Sequence, residues 1–403
     1  MSKPALLYLV HRIPYPPNKG DKVRSFHILQ YLREIYDIYL GTFVDDPADM
    51  VHCAALQTVC AGSVFIPLHP ARRRLASLPG VLGRRSLSEI IYRHRGMQDW
   101  VDTTINRHAI DKALIFSSVM GQFILPHQHR LQTVIDFVDM DSDKWRQYGA
   151  KKMWPANWVY QREARCLWQF ELALTHASHK AVLVSSQEAA LFRDHVAQVT
   201  PADAAKVTHV NNGVDVEYFD PERAMENPYQ TRRIIVFTGA MDYWANVDAV
   251  CWFVQNIWPG IRRVVSDARF YIVGARPNAM VQALHGNNQV YVTGRVEDIR
   301  PYIRYAALAI APLRIARGVQ NKVLEAMAMA KYVVASQAAM EGIENPPPQA
   351  FVQADNEQQW CQSCIRVLQD QPQTVPQARD FIRRHYTWRD NLRKFQSLLE
   401  GDA

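Results

Sequence analysis

Short apolar and β-branched runs recur along the chain, with helical patterns often lying between them. In the first half they fall at 6–10, 38–43, 63–67, 113–117, 133–138, 181–185 and 207–210. In the second half they fall at 234–238, 269–273, 289–293, 307–312 and 332–336, with 350–353 after them. Most lack the strict alternation of a strand with one wet face. Continuous apolar runs suit parallel strands buried on both faces, so the pattern predicts doubly wound α/β sheets with right-handed crossovers. Near the C-terminus, Phe381, Trp388, Leu392, Phe395 and Leu399 recur at helical spacing and predict one amphipathic terminal helix over 381–399.

Turn-forming residues cluster around Asp220-Pro221 and Asn227-Pro228, just before a fresh strand. The predicted organisation is therefore an N-terminal Rossmann-like domain over 1–212, a linker over 213–232 and a second Rossmann-like domain over 233–380. A terminal helix over 381–403 is expected to pack back towards the first domain. Two such domains facing each other would place a ligand cleft between them, at strand C-terminal ends.

Composition narrows this picture. A chain of 403 residues exceeds one ordinary core, and 48% hydrophobic with 21% charged residues is the balance of an ordered globular protein. No apolar run approaches the ~20 residues of a membrane span. The opening run at 5–10 is too short for a signal peptide and no small-residue cleavage site follows, so a cytoplasmic location is expected. The six cysteines (Cys53, Cys60, Cys166, Cys251, Cys361 and Cys364) form no disulfide framework. The Cys361/Cys364 pair lacks a second Cys/His pair and reads as ordinary buried thiols.

The net charge of +7 is uneven. Between Arg72 and Arg95 lie seven arginines (72, 73, 74, 84, 85, 93 and 95) against Glu89, interleaved with leucines and isoleucines. Such a segment is either a solvated helical face or a surface resting on anionic lipid at the inner face of the cytoplasmic membrane. Nucleic acid is the weaker third reading of the patch and is not expected as a partner, for want of a binding fold or an aromatic platform.

The most informative segment runs from Ala311 to Ala330. A strand ends at Pro312, a loop carries Arg314 and Arg317, and Gly318 is predicted to open a helix whose free N–H groups would attract an anion. Lys322 and Glu325 share one helical face. An ammonium for a diphosphate and a carboxylate for ribose hydroxyls suit a nucleotide-sugar donor. Taken alone, the pair reads more readily as a solvated surface pair.

Leu324-Glu325-Ala326-Met327-Ala328 resembles the donor-site helix of glycosyltransferase family 4, which has the GT-B fold. Where that family's usual first glutamate stands, eight positions earlier, this chain has Arg317. Other segments resemble the family too. Asn212-Gly213-Val214-Asp215 is similar to its interdomain link. Residues 236–246, with Gly239 and Tyr243, resemble the first loop of the donor domain, but Ala240 and Asn246 replace its usual diphosphate-binding cations. Gly294, Arg295 and Val296 fall in the segment whose backbone touches the nucleobase. Gly318 and Val319 complete the donor set.

The N-terminal loop with Lys19, Gly20, Asp21, Lys22 and Arg24 resembles the one that closes over phosphate and acceptor, and it reads as electropositive. Asp139 or Asp141 stands where many relatives place a histidine; the acids at 136, 139, 141 and 143 also read as a metal site, or as helix capping by Asp141 or Ser142. The resemblance covers essentially the whole chain and is strongest to sugar transferases associated with exosortase/PEP-CTERM exopolysaccharide loci.

It implies retaining transfer from a nucleoside diphosphate sugar to a hydroxyl of a saccharide or polyprenyl-diphosphate-linked acceptor, with no cofactor and no metal. Arg317 and Lys322 would stabilise the leaving diphosphate. A nucleotide-sugar 2-epimerase and a non-catalytic GT-B partner are the alternatives. An NAD oxidoreductase is disfavoured because no GxGxxG follows a strand.

Overall fold

A computed structural model describes residues 3–17, 20–69, 80, 83–150, 153–316, 318–370 and 374–401. The chain forms two compact units, Met1–Asn211 with Leu392–Ala403, and Asn212–Asn391. In the first, β1 (Ala5–Val10), β2 (Asp37–Val44), β3 (Gly62–Pro67), β4 (Lys112–Phe116), β5 (Gln132–Val138), β6 (Lys180–Leu183) and β7 (Val207–His209) form one sheet. Its order is β3-β2-β1-β4-β5-β6-β7, and every pairing is parallel.

The second unit holds β8 (Ile234–Thr238), β9 (Arg269–Val273), β10 (Val290–Gly294), β11 (Leu308–Ala311), β12 (Val333–Ala335) and β13 (Phe351–Gln353). These make a parallel sheet of order β10-β9-β8-β11-β12-β13. All thirteen apolar runs become strands, with ends within two residues of those expected. The physical reason is burial on both faces: Leu6 to Val10 and Ile234 to Phe237 are wholly inaccessible. In both sheets the strand order reverses at the first strand, so the loops after Val10 and Thr238 lie at switch points, where open α/β sheets take ligands.

The terminal segment departs from expectation. One helix was predicted, and there are two, Pro376–His385 and Trp388–Glu400. The interruption is tertiary in origin. Val214 bridges to Thr387, and its N–H donates to Tyr386 O at 2.7 Å. Thr387 Oγ1 then accepts from Asp390 N at 3.3 Å and starts the second helix. Gly213 lies so close that a Cβ there would sit 2.4 Å from Trp388 N. From Leu392 onward the last helix groups with the first unit, where Tyr31 Oη donates to Gln396 at 3.1 Å.

Residues 213–232 are part of the second unit rather than a free linker. Phe219 and Tyr229 are buried in its core, and Arg379 donates to Val216 O, Phe219 O and Asp220. All six cysteines are free thiols, and Cys364 is buried beside Cys361. No described helix is long and apolar enough to cross a membrane.

Candidate active site

The C-terminal ends of β8, β9 and β10 are pressed together by glycines. Gly274 N donates to Gly294 O at 3.2 Å, and a Cβ on Gly274 would fall 1.7 Å from Gly239 O. Gly239 has φ +154°, and its own Cβ would meet Asn246 Nδ2 at 2.7 Å. Asn246 is buried and works as a bracket. Its Nδ2 donates to Ala240 O at 2.9 Å, while its Oδ1 accepts from Lys322 Nζ at 3.1 Å. The asparagine that replaces a usual cation thus holds another cation, Lys322, against the β8 loop. Spacing along the sequence gave no sign of this link.

The helix carrying Lys322 begins later than expected. It spans Asn321–Ala328, not Gly318 onward. Gly318 has φ +64°, a left-handed conformation that cannot continue a right-handed helix, and it belongs to the preceding loop. A Cβ on Gly342 would lie 2.8 Å from Gly318 O and Val319 N, so that loop is packed backbone to backbone. Asn321 Oδ1 accepts from Asn212 Nδ2 at 3.3 Å. Arg317 lies outside the described residues. Arg314 is committed elsewhere, with Nε 2.9 Å from Asp248.

Lys322 and Glu325 are half-buried, one turn apart. Burial pulls the Lys322 ammonium down to about 8, opposed by the charge of Glu325. Burial pushes the Glu325 carboxyl up to about 7, opposed by Lys322. Among the described residues, none donates a hydrogen bond to Glu325. Tyr243 and Trp244 are exposed at the start of the helix Trp244–Trp252, Arg295 is exposed, and Val296 packs partly against the core. The structure therefore brings Gly239, Asn246, Lys322 and the β9–β10 ends together, with Glu325 beside them. It gives Arg295 no described partner in this group.

The first unit corrects the reading of its loop as an open cationic site. Arg24 is 1% exposed and Asp136 0%, and they form a bidentate pair with Nε–Oδ2 at 2.7 Å and Nη2–Oδ1 at 3.2 Å. Lys22 is equally buried, 2.5 Å from Asp49. These cations are neutralised in the core and do not face a phosphate. Asp21 accepts from Arg12 at 2.6 Å, with His11 at 3.5 Å, which hold its carboxyl well below the usual range despite burial. Gly20 starts the helix Gly20–Leu32 with open space around it, and Lys19 lies outside the described residues.

The acids after β5 are also accounted for. Lys144 Nζ donates to Asp139 at 2.6 Å and lies 3.7 Å from Asp141. Asp143 is paired with Arg146 and Gln147. In the first turn of the helix Asp141–Ala150, Glu171 accepts from Ser142 N at 3.1 Å and Ser142 Oγ at 2.5 Å. Burial, with Asp141 nearby, pushes the Glu171 carboxyl up to about 8. Among the described residues no three His, Cys, Asp or Glu side chains group as a metal site. Ser117 and Val138, at the ends of β4 and β5, hold φ of +76° and +70°. A left-handed backbone is strained at both residues, most of all at the β-branched Val138.

Residues 232–370 match the family model described as Glycosyl transferases group 1. No curated protein matches the chain by sequence. Among solved structures it is similar to sucrose-phosphate synthase from Thermosynechococcus elongatus, at 14% identity over 99% of this chain and 98% of that one, with a TM-score of 0.70. It is also similar to Anabaena HepE in complex with UDP-glucose, at 13% identity over 98% and 99%, with a TM-score of 0.63. A third is WaaG, a glycosyltransferase involved in lipopolysaccharide biosynthesis, at 13% identity over 98% and 100%, with a TM-score of 0.64. The chain thus has the GT-B architecture of two Rossmann-like α/β domains, and its second unit carries a glycosyltransferase domain of group 1.

Proposed function

We propose that the protein is a retaining glycosyltransferase that moves a sugar from a nucleoside diphosphate sugar to a hydroxyl of a lipid-linked saccharide. The setting is exopolysaccharide biosynthesis of the exosortase/PEP-CTERM-associated kind. One observation carries the donor assignment: within the matched domain, Asn246 fixes a half-buried lysine at the switch point of the sheet, one turn from the half-buried carboxylate of Glu325. Lys322, and Arg317 from the same segment, would stabilise charge developing on the leaving diphosphate. Glu325 would accept the ribose hydroxyls. The leaving phosphate would take the acceptor's proton, so no strong general base, metal or cofactor is required. The UDP and UDP-glucose complexes of HepE make uridine donors the first to test.

Product analysis tests the reaction. With donor and a polyprenyl-diphosphate saccharide, the sugar should move to the acceptor with its anomeric configuration kept. Rapid release of free sugar without acceptor would instead indicate a 2-epimerase.

The pH dependence follows from the two shifted groups. Donor binding needs Lys322 protonated and Glu325 ionised. Affinity for a nucleoside diphosphate sugar, whose phosphates do not titrate near neutrality, should be greatest between about 7 and about 8. It should fall below that window as Glu325 takes a proton, and above it as Lys322 loses one. Calorimetry across the window checks this, and Lys322→Met should abolish the alkaline limb. A flat profile would remove the pair from the site.

We further propose that the first unit rests on an anionic bilayer. Most of the 72–82 stretch lies outside the described residues, but Arg84, Arg85, Arg93 and Arg95 are exposed. Met153 and Trp154 are 87% and 83% exposed, and Trp158 lies one helical turn on. Tryptophan is rarely so exposed in water and favours the headgroup layer. Flotation with anionic vesicles should recover the parent and lose the Trp154→Ala/Trp158→Ala double variant. Equal recovery of both, or dependence on neutral lipid alone, contradicts the assignment.

A further inference from the structure

A pocket of about 210 Å³ lies in the first unit, among the helices Asp141–Ala150, Ala156–Ala177 and Ser186–Ala197. Met140 and Ala164 are nearly sealed behind it, so the groups a ligand can reach belong to Arg146, Gln161, Arg165, Trp168 and His195. Its acid, Asp143, is 1% exposed and already accepts from Arg146 Nε and Gln147 Nε2, each at 2.9 Å. Gln161 Nε2 donates to Arg146 O at 3.2 Å, and His195 Nδ1 donates to Leu191 O at 2.8 Å. Three groups are left over: the exposed Arg165 guanidinium, the Trp168 indole N–H and His195 Nε2. Among the described residues, none of these has a hydrogen-bond or ion-pair partner.

The leftover groups select the chemistry of a ligand. A saccharide would leave the guanidinium without a counter-charge. A phosphate takes two parallel N–H bonds from arginine and accepts the indole N–H as a third. The volume falls below the ~300–1,000 Å³ of sites that enclose a whole small molecule, so the pocket suits a headgroup whose remainder lies outside it.

The surroundings say where that remainder goes. The helix bearing Arg165 and Trp168 also bears the exposed Trp158, about 10 Å from Arg165 along the axis. Its exposed face, with Trp158, Arg165, Gln169, Ala173 and His176, holds no acid, because Glu163 and Glu171 are both 0% exposed. The same helix holds the end of the arginine-rich segment. Arg162 Nη2 donates to Gly80 O, Gly83 O and Arg85 O at 2.6–2.8 Å, and Glu163 accepts from Leu87 N at 2.7 Å and Ser88 N at 3.0 Å. Exposed Arg84 and Arg85 are thereby fixed beside the tryptophan-bearing helix.

We propose that this pocket binds the phosphate headgroup of an anionic phospholipid, held by Arg165 and Trp168 with His195 at its side, while the acyl chains stay in the bilayer near Trp158. The assignment to a lipid rests on the reading that the first unit lies on an anionic bilayer, and adds to it a discrete lipid site.

Calorimetry with dihexanoyl phosphatidylglycerol, kept below its micellar concentration, tests the site on the full chain without a bilayer. Inorganic phosphate and vesicle flotation are run beside it. The soluble lipid should bind the parent, and Arg165→Gln and Trp168→Phe should each weaken it about 10- to 100-fold, as expected for hydrogen bonds lost to a charged group. Trp168→Phe keeps an aromatic ring beside Phe192 and His195 but removes the N–H donor. Should it fail to fold, the exposed Arg165→Gln carries the test. The Trp154→Ala/Trp158→Ala double variant should bind the soluble lipid like the parent while failing to float. Equal affinity for inorganic phosphate would assign the site to free phosphate and overturn the lipid proposal. No binding of millimolar lipid, or unchanged affinity in folded variants, also overturns it, and flotation of the parent would then leave the bilayer reading standing. Soluble-lipid binding by a parent that does not float with anionic vesicles would support the pocket and remove the bilayer reading.

Discussion

Lys322→Met should lower turnover by about 100- to 1,000-fold, the usual scale for removing one electrostatic stabiliser of a developing anion. Two described cations near the donor loops are unavailable for the task, since Arg314 is held by Asp248 and Arg300 by Asp298. Lys322 alone among the described cations is bracketed to the β8 loop through Asn246. Methionine keeps most of the side chain's volume and its contact with the Phe237 ring, which lies 5.4 Å from Nζ. The loss would therefore be electrostatic and not a packing defect. Asn246→Ala should give a smaller loss, because the ammonium survives but its aim does not. Steady-state kinetics on folded variants decide the matter. If Lys322→Met turns over like the parent, the charge comes from elsewhere, and Arg317 becomes the first candidate.

Arg24→Met should destabilise the first unit by about 3–5 kcal/mol, because it leaves Asp136 as an unpaired carboxylate in a dry core. The partner change, Asp136→Leu, should cost a similar amount, and the double variant should recover much of the loss. Denaturant unfolding of the three variants measures this directly. A cost under about 1 kcal/mol, typical of exposed pairs, would mean that Arg24 is solvated and free to meet a phosphate.

These two residues show what a linear sequence can and cannot convey. The strands were legible because burial on both faces writes itself as continuous apolar runs, such as Ile234–Thr238. The Lys322–Glu325 helix was legible because a three-residue spacing is local. Arg24 looked like part of an open cationic loop because its partner, Asp136, is 112 residues away. Lys22 was misread for the same reason, with Asp49 27 residues distant. Gly318 carries both a helix-start and a left-handed-turn signal, and only the backbone decides between them. The break at Tyr386–Thr387 is imposed by Val214, which no helical periodicity can register. Asn246 read as a missing charge, whereas folded it is the group that aims one.

The central claim is a nucleotide-sugar donor site built on Lys322 and Glu325. The most direct test is calorimetry of the parent and of Glu325→Ala against UDP, GDP, TDP and their sugars. One nucleoside diphosphate series should bind the parent, and Glu325→Ala should weaken it by about 1–3 kcal/mol through unpaired ribose hydroxyls. Binding of none of them, or equal binding to a folded Glu325→Ala, would contradict the account.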